Sequence, residues 1–176
     1  MRVISGFLGG RSIQSPKKNR THPMSDKMRG GLFATLGDIE GLEVLDAYSG
    51  SGALAIEAIS RGAKDVVAVD IDKNAVSSIK TNISELSIDN KIKPVQTNIN
   101  SYLNRNDTLY DLIFADPPYN DIKINHILNI SRHLKNNATL VLSLPGHEGV
   151  LLIKGLKIVK NKTYGDSQLV FYKKIS

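Results

Sequence analysis

The chain has 176 residues, no cysteine and a net charge of +6. That length suits one domain with a substantial core, and the missing thiols exclude disulfides, thiolate nucleophiles and cysteine-based zinc sites. No apolar run approaches the roughly 20 residues of a membrane span, and the opening MRVISGFLGG lacks a signal peptide's long apolar segment, so a soluble, cytoplasmic protein with no membrane attachment is expected. The charge is uneven. Residues 1–31 hold Arg2, Arg11, Lys17, Lys18, Arg20, Lys27 and Arg29 against Asp26 alone, whereas the other 145 residues carry 16 basic and 16 acidic groups. A neutral body with a basic N-terminal arm suits a phosphate-bearing partner such as a nucleic acid.

In chain order, RVISGFLGGRSIQSP alternates apolar residues around glycines, which predicts a short hairpin or a loosely packed strand pair. KKNRTHP reads as a basic loop. The spacing of Met24, Met28, Leu32, Phe33 and Leu36 predicts a helix over MSDKMRGGLFATLG, with Gly37 as its stop. Gly30 and Gly31 inside it cost about 1 kcal/mol each against alanine, so the helix is weakly specified or closely packed there.

From residue 42 strands and helices alternate. LEVLDA is a strand, YSGSG a turn and ALAIEAISRG a helix; DVVAVDI is a second strand and KNAVSSIKTNISELS a second helix of this series. IKPVQTN is a third strand, INSYLN a helical turn, YDLIFAD a fourth strand, IKINHILNISRHLK a helix and ATLVLSL a fifth strand. LKIVKNKTYG and SQLVFYKK are two closing strands joined at YGDS, with residues 145–155 as a tether. This pattern predicts an α/β fold whose mostly parallel, seven-stranded sheet carries helices on both faces and an antiparallel hairpin at one edge. Residues 1–23 are expected to form the basic arm and 24–176 the body of the same domain.

LDAYSGSGALAIEA joins the first strand to its helix. Gly50 and Gly52 permit a tight turn with an exposed backbone, at the sheet edge where open α/β folds bind ligands. GSGALA also fits the G-x-G-x-x-A dinucleotide fingerprint, and Asp70, 18 residues past Gly52, could hold a ribose diol in either case. Asp46 favours a methyl donor: a carboxylate attracts the ammonium and sulfonium of S-adenosylmethionine and repels a pyrophosphate. Tyr48, beside the turn, is placed either to pack on such a ligand or to fill the core.

IFADPPYN ends the fourth strand on an acid, two prolines and a tyrosine. An exocyclic base amine is a poor nucleophile because its lone pair is delocalised into the ring. Two acceptors gripping its N–H hydrogens would turn that pair outward, and the Asp116 carboxylate with the Pro117 carbonyl supply them. Pro117 and Pro118 fix the spacing, and Tyr119 offers a ring for base stacking. Methyl transfer from a sulfonium requires no metal, and none is expected. His126 and His133 on one helix, and His147 in PGHEG, are assigned no chemistry; Asp72 and Lys73 are read as a helix start.

With these residues stated, the sequence resembles the RsmD family of bacterial small-subunit ribosomal RNA guanine-N2 methyltransferases over nearly its whole length. The likeness rests on MRVISGFLGGRSI, HPMSDKMRGGLF, DAYSGSGALAIEAISRGA, DPPY and YGDSQLVFY. It implies a Rossmann-like class I methyltransferase that uses S-adenosylmethionine, yields S-adenosylhomocysteine and acts as a monomer on 16S rRNA in the small subunit. By resemblance, Asp46, Gly50 and Gly52 line the methionine side of the donor, Asp70 holds its ribose with Ile71 also at the cofactor, and Asn98 lies by the adenine. Asp116, Pro117, Pro118 and Tyr119 carry the transfer. Arg2, Arg11, Lys17, Lys18, Arg20, His22, Asp26 and Arg29 meet RNA, and His22 stands where the family usually has arginine. A base lodged in RNA structure would have to be unstacked to reach the site. The alternatives are a DNA adenine-N6 methyltransferase, a non-catalytic ribosome-assembly factor that retains the donor pocket and, last, a nicotinamide oxidoreductase.

Overall fold

The computed structural model describes residues 1–16 and 23–175; Lys17, Lys18, Arg20 and His22 lie outside the described residues. The elements follow in the order α1 (Asp26–Leu36), β1 (Glu43–Asp46), α2 (Ala53–Ser60), β2 (Asp65–Asp70), α3 (Lys73–Glu85), β3 (Ile92–Gln96), α4 (Ile99–Asn104), β4 (Tyr110–Ala115), α5 (Ile124–Arg132), β5 (Leu134–Pro145), β6 (Leu156–Tyr164) and β7 (Ser167–Lys174). They build one seven-stranded sheet ordered β3-β2-β1-β4-β5-β7-β6. The pairs from β3 through β5 are parallel; β7 runs antiparallel to both β5 and β6. β6 therefore points the same way as β5 and forms the outer edge.

Helices cover both faces. The N-terminal segment and α1, α2 and α3 bury Leu32, Phe33, Ile56 and Ile79 against Val44 and Phe114. α4 and α5 bury Leu103, Ile127 and Ile130 against Leu45 and Ile113 on the other side. Val44 and Leu45 of β1 thus enter opposite cores, which is why both of its central residues are apolar. Helix starts follow their caps: Ser25 accepts from the Met28 N–H, Asp72 from Asn74 and Asn98 from Ser101. Among the described residues no helix is long and apolar enough to cross a membrane.

Two expectations are refined. The N-terminal segment pairs antiparallel as a short hairpin, with the Arg2–Ser12 bridge flanked by Val3 N–H donating to the Arg11 carbonyl and Ile13 N–H to the Met1 carbonyl, but it is firmly rather than loosely packed: Val3, Leu8 and Ile13 are buried in the core. Its backbone is tied to later helices, with the Ile4 and Ser5 N–H groups donating to Glu57, Leu8 N–H to the Ser60 hydroxyl and Gln14 N–H to Asn82. The fifth strand begins at Leu134 rather than Ala138, because α5 stops at Arg132 and Leu134 pairs with Tyr110 before a register shift. Of the two glycines in α1, Gly31 marks close packing: a Cβ there would collide with the Tyr164 hydroxyl, whereas one on Gly30 would make only ordinary contact with Ile4.

Candidate active site

The strand order reverses between β1 and β4, and their carboxyl ends open the crevice where such sheets take ligands. β4 lies beside β1 with Phe114 opposite Asp46, so the YSGSG turn and the DPPY corner face each other across it. Gly50 adopts φ +55 and Gly52 φ +80, left-handed values that favour glycine. Gly52 also packs tightly, since a Cβ there would sit 3.2 Å from Ile79. A Cβ on Gly50 would meet nothing within 4 Å among the described residues, which leaves open space above the turn.

Two carboxylates support this turn. One oxygen of Asp70 accepts from Gly50 N–H at 2.8 Å and the other from Asp72 N–H at 2.8 Å, so the acid expected to hold a sugar also braces the glycine loop. A carboxylate has lone pairs to spare for both tasks. Asp46 is buried and accepts from the Ser49 hydroxyl at 2.8 Å, and its Oδ1 has no hydrogen-bond partner among the described residues. Burial drives its pKa up to about 7, with the negative charges of Asp116 and Asp70 adding to the shift. A buried carboxylate with an orphaned oxygen fits a cationic ligand, and the residues present accommodate the methionine end of S-adenosylmethionine. Ile71, 70% exposed, is an apolar side chain left uncovered beside Asp70, and half-buried Tyr48 packs near the second core. Asn98 is exposed at the head of α4, its side-chain oxygen committed to the Ser101 cap.

At the opposite wall, burial raises the Asp116 pKa to about 6, an effect that the Ser143 hydroxyl opposes. The Ser143 hydroxyl meets the Tyr119 hydroxyl at 2.6 Å, so this side chain tethers the aromatic ring. The Pro118 carbonyl accepts from Asp121 N–H at 3.0 Å, closing the corner as a turn. Among the described residues no protein donor reaches the Pro117 carbonyl, which leaves that acceptor free beside Asp116. Tyr119, 37% exposed, is tethered by its hydroxyl while its ring stays accessible. Ser143 was not singled out in the sequence; its only signal is a lone hydroxyl in the apolar run LVLSL.

The expected RNA contacts divide. Arg2 and Arg11 are exposed on the arm, with Arg11 reaching the Glu85 carbonyl at 3.4 Å. Arg29 is wholly buried: its guanidinium donates to the Arg2 carbonyl at 2.6 Å and to Asp26 at 2.9 Å, with the Glu57 carboxylate 3.8 Å away. A guanidinium so enclosed braces α1 against the arm and α2 rather than meeting phosphates. Asp26, mostly exposed, is its partner at the head of α1. Glu57, also missed in the sequence, is the hub of this assembly and pairs with Arg61 at 2.7 Å as well.

A family model described as Conserved hypothetical protein 95 matches residues 1–173. The chain belongs to that family. Relatives in the RsmD line bear out the resemblance. Ribosomal RNA small subunit methyltransferase D of Buchnera aphidicola subsp. Acyrthosiphon pisum is 31% identical, over 97% of this chain and 91% of its own. A Bacillus subtilis protein named "Putative rRNA methyltransferase YlbH" is 30% identical over 99% of both chains. Among solved structures, "Putative methyltransferase yhhF" of Escherichia coli superposes with a TM-score of 0.89 at 25% identity, covering 99% of this chain and 98% of that one. This member of the Conserved hypothetical protein 95 family therefore shares that structure's fold over nearly its whole length.

Proposed function

We infer that the chain transfers a methyl group from S-adenosylmethionine to the N2 amine of a guanosine in small-subunit ribosomal RNA, in the cytoplasm and as a single chain. The observation that carries this reading is the meeting, at one switch point, of a buried carboxylate with one unpartnered oxygen under a glycine turn and a rigid Asp-Pro-Pro-Tyr corner. The names of the RsmD relatives supply the RNA and the subunit, and the resemblance supplies the guanine amine.

When bound, S-adenosylmethionine supplies an electrophilic methyl on a sulfonium. Asp46 would pair with its ammonium, the Gly50 backbone would let it approach closely, Asp70 would accept from its ribose hydroxyls, and Ile71 and Asn98 would flank its adenine. Asp116 and the Pro117 carbonyl would each accept one N–H of the guanine amine and so aim its lone pair into the crevice. Tyr119, steadied by Ser143, would stack on the base. Asp116 is then aligned to take the proton that the methylated amine gives up.

Incubating the protein with labelled S-adenosylmethionine and small subunits lacking the mark, deproteinised ribosomal RNA, or duplex DNA tests the reading. Label in guanine of the subunits is expected. Label confined to DNA adenine, or none in any substrate, overturns it.

Two pH effects follow. Because Asp116 acts as an acceptor, kcat/KM should rise with pH through about 6; in Ser143→Ala the loss of the hydroxyl that opposes the upward shift should move that limb to higher pH and raise KM through the untethered Tyr119. For Asp46, a folded-state pKa raised to about 7 means that its contribution to stability is complete below the unfolded value near 3.9 and is lost as pH rises through 7. Asp46→Asn should therefore unfold at a higher temperature than the wild type at pH 8, match it near pH 4, and bind S-adenosylmethionine at least about tenfold more weakly. The last figure corresponds to losing one buried charge pair, and calorimetry at both pH values checks each part.

A further inference from the structure

The balance of charge outside the arm conceals a second division. Residues 151–176 carry Lys154, Lys157, Lys160, Lys162, Lys173 and Lys174 against Asp166 alone, while residues 32–150 hold ten basic and fifteen acidic groups. The body is thus an acidic centre with a basic closing hairpin. None of these six lysines pairs with a carboxylate among the described residues, although Arg61, Lys64, Lys123 and Lys135 of the acidic centre all do.

Placement gives this charge a direction. β6 is the sheet's outer edge and runs parallel to β5, so it ends at the rim that holds the Asp-Pro-Pro-Tyr corner. Lys157 and Lys160 are exposed and Lys162 half-exposed along it. Strand alternation puts Lys160, Lys162 and Tyr164 on one face, and Tyr164 packs against Gly31 of α1. Lys27, one helical turn before Gly31, is exposed on the same stripe of α1. The row of ammonium groups along β6 therefore continues onto the head of α1 at the rim. Neighbouring lysines on the strand face lie about 7 Å apart. One or two charges suffice to keep an edge strand from pairing with another chain; a run this long, free of acids and leading to the reaction rim, exceeds that need.

We propose that the outer face of β6, with Lys157, Lys160 and Lys162 joined by Lys27, is a second track for the RNA backbone, on the other side of α1 from the N-terminal arm. The proposal rests on the reading that RNA is the substrate. Its phosphates would be neutralised there without any base being read, so the track positions the strand while the corner selects the amine.

The test is the triple variant Lys157→Gln, Lys160→Gln, Lys162→Gln, which keeps a polar edge, against a control triple Lys80→Gln, Lys91→Gln, Lys93→Gln at exposed lysines elsewhere. Binding to small subunits lacking the mark is measured between 50 and 200 mM salt, with unfolding temperature followed in parallel. The β6 triple should weaken binding by tenfold or more and flatten the slope of log affinity against log salt by about 2, near 0.7 for each single-strand phosphate that is no longer neutralised. Its kcat at saturating subunits should be unchanged. Unaltered affinity and slope, or an equal weakening in the control triple, overturns the track. Those results are distinct from failure of the functional reading, in which the unaltered protein itself would leave subunits unmethylated.

Discussion

Asp116→Ala is expected to lower kcat by about a hundredfold to a thousandfold while S-adenosylmethionine affinity stays within a few-fold. The size follows from the role: one of two acceptors that orient the amine is removed, and loss of a single preorganised electrostatic partner at a reacting centre costs this much in other enzymes. The donor's affinity should hold because its cation faces Asp46 and its ribose Asp70, neither of which depends on Asp116 for position; Asp46 rests on Ser49, and Asp70 on Gly50 and Asp72. Taking charge from Asp116 also relieves part of the pressure that raises the Asp46 pKa. Single-turnover assays with isothermal titration of the donor separate the two effects. Full activity in the variant would refute the two-acceptor clamp.

The largest expected effect on stability lies at Glu57. The carboxylate is wholly buried, accepts Ile4 N–H at 2.7 Å, Ser5 N–H at 3.0 Å and Arg61 at 2.7 Å, and lies 3.8 Å from the buried Arg29 Nε. Arg29 Nε has no hydrogen-bond partner among the described residues, and of their carboxylates only Glu57 comes close to that end of the guanidinium. Removing one member of a buried pair leaves the other uncompensated, at about 3–5 kcal/mol. For a chain of this size each kcal/mol moves the melting temperature by about 2–4 °C. Glu57→Ala should therefore melt roughly 6–20 °C lower, and residues 1–16 should become the first site of proteolysis. A shift of under about 2 °C would show that the arm and α1 are held by their apolar contacts alone.

The alternation of strands and helices was legible because each strand is buried on both faces and each helix on one, which writes distinct periods into the chain. The glycine turn and the Asp-Pro-Pro-Tyr corner were legible for a related reason: residues that break strands mark where strands end, and both occur at carboxyl ends. Charge was less informative. Arg29 looks like Arg11 in the sequence, but one is enclosed by three chain segments and the other reaches solvent, a difference set by tertiary packing. Glu57 is a lone acid in ALAIEAIS, and Ser143 a lone hydroxyl in LVLSL. Both patterns signal a buried polar group that must find partners. The lysines of β6 escaped notice because their sum with the acidic centre is nearly zero. Only the strand order puts them together on one edge and the acids elsewhere.

The wiring of the first sixteen residues has a consequence for biosynthesis. They leave the ribosome ahead of residues 17–176, but their hydrogen-bonding partners, Glu57, Ser60 and Asn82, lie 52 to 68 positions downstream. At translation speeds of about 5–20 residues per second, the segment waits several seconds for them. Maturation is thus out of step with synthesis: what emerges first docks only after α3 has followed it out, and a nascent chain cut short before Asn82 would leave its leading end unsecured.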